Sequence, residues 1–292
     1  MKSHFFSLKN LLLLIVLLAS HQLYAQQSSS DSTKPKPKVV KATFEDAVLI
    51  NNQTVQGPAK KSLELIFQHR FGVLKSADDL FGIFAPANIR FGFVYGVTSH
   101  LSLSIGATKS NRLFDVGGKY ILIRQTAPHG IPVTVTYYGN VAFSALPEAN
   151  FNNQDNEYFA ANRLSFFNEL MIAKKFNSHL SLQLAPTFTH YNIVDSLMEH
   201  NIIGVSFAGR YKFTAQSSLM VEFDYPITSN SENPQKPNLG IGYEISTGSH
   251  QFQVFLCSSD GILNQQIMMN NQNEFWKGKF LLGFNITRSW SF

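Results

Sequence analysis

Residues 279–292, KFLLGFNITRSWSF, alternate between bulky apolar side chains and small or polar ones. Arg288 is the one charge on the apolar face, and Leu281 is the one apolar residue on the other face. A period of two residues with one bulky apolar face is typical of a β-strand whose outer face lies in lipid. The apolar face consists of Phe280, Leu282, Phe284, Ile286, Trp290 and Phe292.

The first 25 residues predict a secretory signal peptide. Lys2 and Lys9 form a positive amino-terminal region, and the apolar run Leu11–Leu18 is too short to cross a membrane. The segment ends in Leu23-Tyr24-Ala25, a small-residue cleavage site, and no Cys follows it that would carry a lipid anchor.

Residues 26–60 predict a periplasmic amino-terminal tail or linker. Residues 26–41 are polar with a Lys- and Pro-rich end, a composition typical of disorder. Residues 42–60 contain Phe44, Val48, Leu49 and Ile50, which favour local packing. They form either a short periplasmic segment or a piece tucked into the mouth of the following domain.

Residues 61–292 predict an all-β domain, a transmembrane antiparallel up-and-down barrel of twelve strands, give or take two. No mature segment approaches the roughly 18 consecutive apolar residues of a spanning helix. In hydrocarbon only helices and closed barrels satisfy their backbone hydrogen bonds, so a barrel remains. The alternating segments are 63–71, 88–95, 101–106, 115–122, 133–143, 163–172, 180–189, 203–213, 219–225, 239–245, 251–257 and 279–292.

Short and long connections alternate between these segments, which is the pattern of bacterial outer-membrane barrels with periplasmic turns and extracellular loops. An even strand number then places both termini in the periplasm. The predicted location is the bacterial outer membrane, with lipid around the barrel. Aromatic side chains near both ends of the segments fit two interfacial belts.

The inward face of the predicted barrel carries charges of both signs in nearly equal number. The near balance favours ion pairs that fill a narrow lumen, since buried charges are tolerated when they are paired. A small-solute channel with these charges at a constriction is the alternative. The predicted network comprises Arg70, Arg90, Lys119, Arg163, Glu169, Arg210, Lys212, Glu222, Asp224 and Glu244, with Glu64, Asp115 and Lys279 on the same face.

Two long connections are too apolar for solvated loops. Residues 72–87 include Leu80, Phe81, Ile83 and Phe84, which predict burial in the barrel mouth, on the membrane rim or against a partner. Residues 258–278 predict a loop with its own small core, a short surface helix or a contact site. Loops 144–159 and 258–278 are the candidate sites for a protein partner.

Several function classes are disfavoured. The pI of about 9.2 comes from dispersed Lys and Arg, so no nucleic-acid partner is predicted. Cys257 is the only cysteine, which excludes an internal disulfide and a Cys-based metal site. His69 and His190 face outward near the loop ends, but no outward Ser stands at matching height to be activated. The sequence therefore predicts no enzyme, no cofactor and no metal.

Short sequence pieces recur in a fixed order along residues 42–292. They are Thr43-Phe44, Leu49-Ile50-Asn51, His69-Arg70-Phe71-Gly72, Asp79-Leu80-Phe81-Gly82, Arg90-Phe91-Gly92-Phe93, Lys119-Tyr120, Gly209-Arg210-Tyr211-Lys212, Thr247-Gly248 with His250, and Gly283-Phe284-Asn285-Ile286-Thr287-Arg288. Together they resemble a β-barrel family of unknown function common in the outer membranes of Bacteroidota. The resemblance implies an outer-membrane barrel and transfers no activity or site residues. The ending at Trp290 and Phe292 is similar to the carboxy-terminal signal that the barrel-assembly machinery recognises in outer-membrane barrels.

Two functions follow from this reading. The first is passive or gated passage of a small polar solute through the barrel. The second is a closed barrel that serves as a structural or interaction platform through its loops or its tail. A phospholipase-like enzyme is disfavoured against both.

Overall fold

The structure is a computed structural model, and it describes residues 36–74, 82–151 and 158–292. Residues 37–292 form one compact unit. The predicted signal peptide and the piece Asp79-Leu80-Phe81 lie outside the described residues. No helix within these ranges is long and apolar enough to cross a membrane.

Twelve antiparallel strands close into a barrel, which confirms the fold class and the strand number predicted from the alternation. Each strand pairs with the next in the chain, and β12 returns to pair with β1, for example Trp290 opposite Leu63. The strands are β1 Ser62–Val73, β2 Asn88–Gly96, β3 Leu101–Thr108, β4 Leu113–Ile123, β5 Thr134–Ser144, β6 Leu164–Lys175, β7 Leu180–Tyr191, β8 Asn201–Lys212, β9 Ser217–Pro226, β10 Asn238–Thr247, β11 His250–Cys257 and β12 Leu281–Ser291.

Short connections and long connections emerge at opposite ends of the barrel. The end where β2–β3, β6–β7, β8–β9 and β10–β11 join by tight turns is called the turn end, and the opposite end is called the loop end. At the turn end, Lys38–Val39 pairs with Thr126–Ala127 in the β4–β5 connection. The amino-terminal segment is thereby fixed beside the barrel mouth from which β1 starts.

Within the described residues, the helices lie in the connections at the loop end. Helix α1, Asn264–Asn270, interrupts the β11–β12 connection and is almost wholly buried. Short 3-10 helices span Ser110–Arg112, Glu148–Phe151, Ala160–Arg163 and Phe275–Lys277. Ile83 and Phe84 are exposed in the β1–β2 connection, so of the three predicted positions the barrel mouth is wrong for them, while the membrane rim and a partner stay predictions.

The outer face of the barrel is apolar and the inner face is polar, as the period of two requires. In β2, for instance, exposed Phe91, Phe93 and Tyr95 alternate with buried Arg90 and Gly92. A closed barrel leaves no unpaired strand edge, so such a face can lie in hydrocarbon without unsatisfied backbone groups. Exposed aromatic residues stand toward the strand ends, including Tyr120, Tyr211, Tyr243 and Trp290 at the turn end and Phe143, Tyr225 and Trp276 at the loop end.

We predict that Val116→Arg destabilises the protein strongly. Val116 points outward near the middle of β4 and is 61% exposed, so an arginine there would enter the hydrocarbon. The expected loss in the free energy of unfolding is about 2–4 kcal/mol, measured by urea unfolding from lipid vesicles. Ser99→Arg, on the exposed β2–β3 turn, is the control and should cost little. Equal small losses for both variants would contradict a lipid-facing β4.

Candidate functional site

The lumen holds most of the charged side chains predicted to line it. Arg163 is an exception, since it lies half-buried at the loop end rather than in the lumen. Lys212 lies partly exposed at the turn end, and Lys279 is exposed outside β12. The buried predicted members are Arg70, Arg90, Lys119, Glu169, Arg210, Glu222, Asp224 and Glu244.

Arg90 and Asp115 form a forked ion pair along the barrel wall. The Arg90 Nη2 and Nε atoms donate to the two carboxylate oxygens of Asp115 at 2.7 and 3.0 Å. These residues lie on β2 and β4, so the guanidinium must cross β3 between them. Gly92 and Gly106 allow the crossing, because a Cβ at either position would collide with the guanidinium. Such bidentate pairs are among the stronger interactions available to a buried charge.

The amino-terminal residues fill the barrel. Residues 43–57, called the plug, form a small hairpin in which Val48–Leu49 pairs with Asn52–Gln53. Phe44, Leu49, Ile50 and Val55 are buried in one apolar cluster with wall residues of the lumen. Burial of such side chains contributes about 1.5–3 kcal/mol each. Of the two sequence alternatives for residues 42–60, the structure therefore shows the piece inside the barrel.

Asn51, at the tip of the plug hairpin, joins two lumen charges that do not touch each other. Its side-chain oxygen accepts from Arg70 Nη2 at 2.7 Å, and its side-chain nitrogen donates to Glu222 Oε1 at 2.5 Å. Its backbone N–H also donates to Glu222 Oε2 at 2.9 Å. The guanidinium on β1 and the carboxylate on β9 are thus connected through one amide.

Arg70 is fully buried, and its remaining donors are also used. Nη2 donates to the backbone oxygen of Ile50 at 3.1 Å, and Nη1 donates to Asn285 Oδ1 at 2.9 Å. The guanidinium further lies over the Phe255 ring, 4.5 Å from its centre. Full satisfaction of its donors allows a guanidinium to stay charged without contact to a carboxylate.

Ile50 adopts a strained conformation that its surroundings hold in place. Its φ of 56° lies in the left-handed region, which costs a β-branched residue on the order of 1–3 kcal/mol. Its N–H donates to Gln253 Oε1, while its carbonyl oxygen accepts from Asn285 Nδ2 at 2.7 Å. Ala42 and Lys61, close to the two ends of the plug, also have positive φ.

The side chain of Lys119 holds the plug through hydrogen bonds to the plug backbone. Its Nζ donates to the carbonyl oxygens of Ala47 and Gln56 at 3.0 and 2.8 Å. Glu169 interacts with this ammonium through charge, but neither of its carboxylate oxygens has a hydrogen-bond partner among the residues that the structure describes. Gln183 on β7 adds two more contacts, since it donates to the Gln53 carbonyl and accepts from the Val55 N–H.

Glu45 secures the plug at the turn end. Its carboxylate accepts from Arg210 at 2.9 Å and from Lys212 at 3.0 Å. Arg210 is also paired with Glu244 at 2.7 Å. Burial alone would raise the pKa of Glu45, but hydrogen bonds and charges from Lys212 and Arg210 outweigh burial and lower it.

The β11–β12 connection closes the lumen from the loop end. Asn264 of α1 donates to Asn52 of the plug at 2.9 Å, and Gln265 donates to Asn140 of β5 at 2.7 Å. Met268 and Met269 join the same apolar cluster as the plug. The loop core predicted from the sequence is therefore shared with the lumen. A partner contact at loop 258–278 stays a prediction.

One cavity between the plug and the charged wall residues is very small. A cavity of about 10 Å³ lies between Arg90, Lys119 and Tyr138, with room for about one water molecule. Asp224, next to Glu222 on the wall, accepts from Ser206 at 2.6 Å and from Asn238 at 2.9 Å. The lumen is thus occupied along its charged stretch.

Arg163 belongs to a different group at the loop end. Its guanidinium carbon lies 4.7 Å from the Phe151 ring centre and 5.2 Å from that of Tyr158. It also donates to the carbonyl oxygen of Ser144 at 3.0 Å. Its inclusion in the lumen network came from the alternation of β6, but it lies in the 3-10 turn before that strand begins.

Trp290 and Phe292 occupy the end of the closing strand. Trp290 faces outward beside Arg288, and the N–H of Phe292 donates to the carbonyl oxygen of Lys61 at 3.0 Å. Their role as an assembly signal stays a prediction. Within the described ranges, no group of three or more His, Cys, Asp or Glu side chains could hold a metal ion.

Uncharged lumen residues were missed by the sequence reasoning, which followed charges. Gln183, Gln253 and Asn285 on the wall contact the plug as closely as the charged residues do. The available signal in the sequence was the inward position of these Gln and Asn side chains on their strands. Their partners could not be read from the sequence, because those partners are backbone groups of the plug.

The fold and lumen define a membrane-bound β-barrel, and sequence comparison agrees. The family model described as membrane bound beta barrel domain (DUF5777) matches residues 44–290. The chain belongs to this family, as the sequence resemblance predicted. The matched range starts at Phe44, so the family domain includes the plug together with the strands. No curated protein sequence matches this chain.

Solved porin structures align with this chain at low TM-scores. The chain aligns with a KdgM porin at a TM-score of 0.45 and 8% identity, covering 79% of this chain and 99% of that chain. A KdgM porin in complex with disordered oligogalacturonate gives a TM-score of 0.44 at 9% identity, with the same coverage of 79% and 99%. A triple mutant of the Rhodopseudomonas blastica porin gives 0.33 at 10% identity, covering 74% and 58%.

We predict that Asn51→Ala loosens the plug. The change removes hydrogen bonds to a buried guanidinium and a buried carboxylate, each worth about 1.5–3 kcal/mol. Amide hydrogen exchange in residues 48–55 should therefore accelerate by at least about tenfold, measured on the folded barrel in detergent. Asn150→Ala, at an exposed asparagine near the loop end, is the control. Unchanged exchange in Asn51→Ala would show that the bridge does not hold the plug.

We predict that acid weakens the attachment at Glu45. Because the folded-state pKa lies below the ordinary carboxyl value of 4.5, this stabilisation is complete above pH 4.5 and is lost as pH falls through the lowered pKa. A spin label on Lys41→Cys should become more mobile over that range. In the Glu45→Gln variant, the label should be mobile at every pH. In the Glu148→Gln variant, the label should behave as in the wild type. A label whose mobility does not change with pH would contradict an attachment of the plug through Glu45.

Proposed function

We propose that this protein is an outer-membrane channel for small polar solutes, closed in the structure by its own plug. The apolar outer face, the even strand number, and the alternation of tight turns with long loops support an outer-membrane location. The same pattern supports a periplasmic turn end, with both termini on that side. No enzymatic activity is part of the proposal.

The observation that carries the proposal is that lumen charges depend on the plug for their partners. Arg70, Lys119 and Glu222 stand on three separate strands, and each bonds to backbone or side-chain atoms of residues 47–56. If the lumen charges served only the stability of the fold, they could pair with one another, as Arg90 and Asp115 do. With the plug withdrawn and α1 displaced from the loop end, water would solvate these groups and leave a hydrated passage with charges of both signs.

The plug is suited to withdrawal. It is held by hydrogen bonds, ion pairs and apolar contacts. On its carboxy-terminal side, the chain continues from the plug into β1 at Ser62. Polar contacts can be exchanged for contacts with water at modest net cost. The strain at Ile50 is relieved when the hairpin leaves, which lowers the free energy of release.

A closed interaction barrel is the second candidate, and one observation favours it. The plug and α1 share a buried apolar cluster with the wall, so withdrawal must expose Phe44, Leu49 and Ile50. If that cost keeps the plug in place, the barrel acts through its loops. The two candidates differ in whether any ionic current passes through the folded protein.

Planar-bilayer conductance separates the candidates. We predict rare openings for the wild type and an open-time fraction roughly tenfold or more higher for Asn51→Ala, because the variant destabilises the closed state selectively. Arg90→Ala and Arg210→Ala should change the size of the current steps, since both side chains border the passage. Asn150→Ala should match the wild type.

A reversible lock supplies the strictest control. Glu45→Cys and Lys212→Cys, in a Cys257→Ser background, place two thiols where an ion pair of 3.0 Å now joins plug and wall. A short reducible thiol cross-linker should abolish openings, and reductant should restore them. A folded, heat-modifiable barrel that stays silent in every variant would reject the channel and favour the interaction barrel.

A further inference from the structure

A second cavity, called the turn-end vestibule, opens between the amino-terminal segment and the barrel wall. Its volume is about 430 Å³, and it extends from exposed Lys41 and Lys60 down to buried Lys119 and Ser102. The segments 39–43 and 55–60 form one side, and the ends of β3, β4 and their neighbouring turns form the other. The volume is within the range of small-molecule sites.

The charge of the vestibule is of one sign. Lys41, Lys60, Lys119 and Arg124 line it, and no Asp or Glu of the described chain does so. Glu64, Glu169 and Asp46 interact with Lys119 through charge, but they are not part of this lining. A concave site with several cations and no carboxylate raises the local concentration of anions.

One hydrogen-bond donor of a vestibule residue, Arg124, lacks an acceptor within the described chain. The Nε atom of Arg124 is shielded from solvent and has no partner among the residues that the structure describes. Its Nη2 donates to the carbonyl oxygen of Ser99. A shielded guanidinium N–H without an acceptor is unusual in folded proteins and fits a site whose ligand supplies the acceptor.

We propose that the turn-end vestibule binds a small anionic solute through a phosphate or carboxylate group. Arg124 and Lys119 contact the anionic group, and Lys41 and Lys60 contribute to its attraction at the rim. Guanidinium and ammonium groups are the usual protein ligands for both phosphate and carboxylate. That this anion is also the transported solute rests on the proposed channel function, whereas its binding does not.

Binding in the vestibule is coupled to the plug through Lys119. Lys119 and Ser102 line both the vestibule and the inner cavity of about 10 Å³, so they form the partition between the two. The Lys119 ammonium now donates to two plug carbonyls. An anion that takes over these donors weakens the hold on the plug, so binding favours opening.

Calorimetric titration of the refolded, full-length barrel in detergent tests the site. The probes are inorganic phosphate, succinate and tetramethylammonium. We expect heat from one or both anions and none from the cation. The stronger of the two anions identifies the group that the site prefers. No saturable anion binding to folded protein would overturn the proposal.

Variants locate the site and keep it separable from the channel. Arg124→Gln should weaken anion binding by about tenfold or more, as expected for loss of a charge-assisted contact. Lys41→Gln should weaken it less, and Lys109→Gln, an exposed lysine near the loop end, should leave it unchanged. Equal binding by Arg124→Gln and wild type would overturn the assignment. If the barrel binds anions but passes no current in bilayers, the anion site is supported and the channel is rejected. If the barrel conducts but binds no anion, the channel is supported and the anion site is rejected.

Discussion

A buried guanidinium and a buried carboxylate that share one asparagine amide determine how the interior of this barrel is arranged. Arg70 and Glu222 stand on β1 and β9, with three strands between them, too far around the wall to pair directly. In a low-dielectric interior each would be costly alone. Asn51 satisfies both because an amide offers an acceptor and a donor at once. The wall charges therefore require the plug, and the plug keeps its strained turn because the wall holds it.

This dependence explains why the amino-terminal segment lies inside the barrel and not in solvent. Its apolar residues join the lumen cluster, while its backbone carbonyls and amides complete the hydrogen bonds of Lys119, Gln183 and Gln253. Helix α1 makes the corresponding closure from the loop end through Asn264 and its methionines. The outer face needs no such partner, because lipid satisfies an apolar surface and strand pairing satisfies the backbone.

The two ends of the lumen differ in chemistry. At the turn end, a cationic vestibule meets the plug at Lys119, and Glu45 holds the plug through Arg210 and Lys212. At the loop end, an uncharged, methionine-rich helix packs on the hairpin tip. Anions and protons can therefore act on the plug from the turn end, because both alter the charge balance there. Under the proposed channel function, this asymmetry would allow the solute itself to influence release of the plug.

The sequence by itself determined the barrel, its twelve strands and the inward position of most lumen charges. Alternation is a local property that lipid imposes on every residue pair, so it can be read residue by residue. The prediction placed Arg163 in the lumen, but this residue precedes the strand, where alternation no longer constrains the direction of a side chain. Only the tertiary structure decided that residues 43–57 occupy the lumen and that Asn51 joins Arg70 to Glu222. Those contacts join residues far apart in the chain, and they depend on the register of twelve strands and on side-chain volumes that no local pattern encodes.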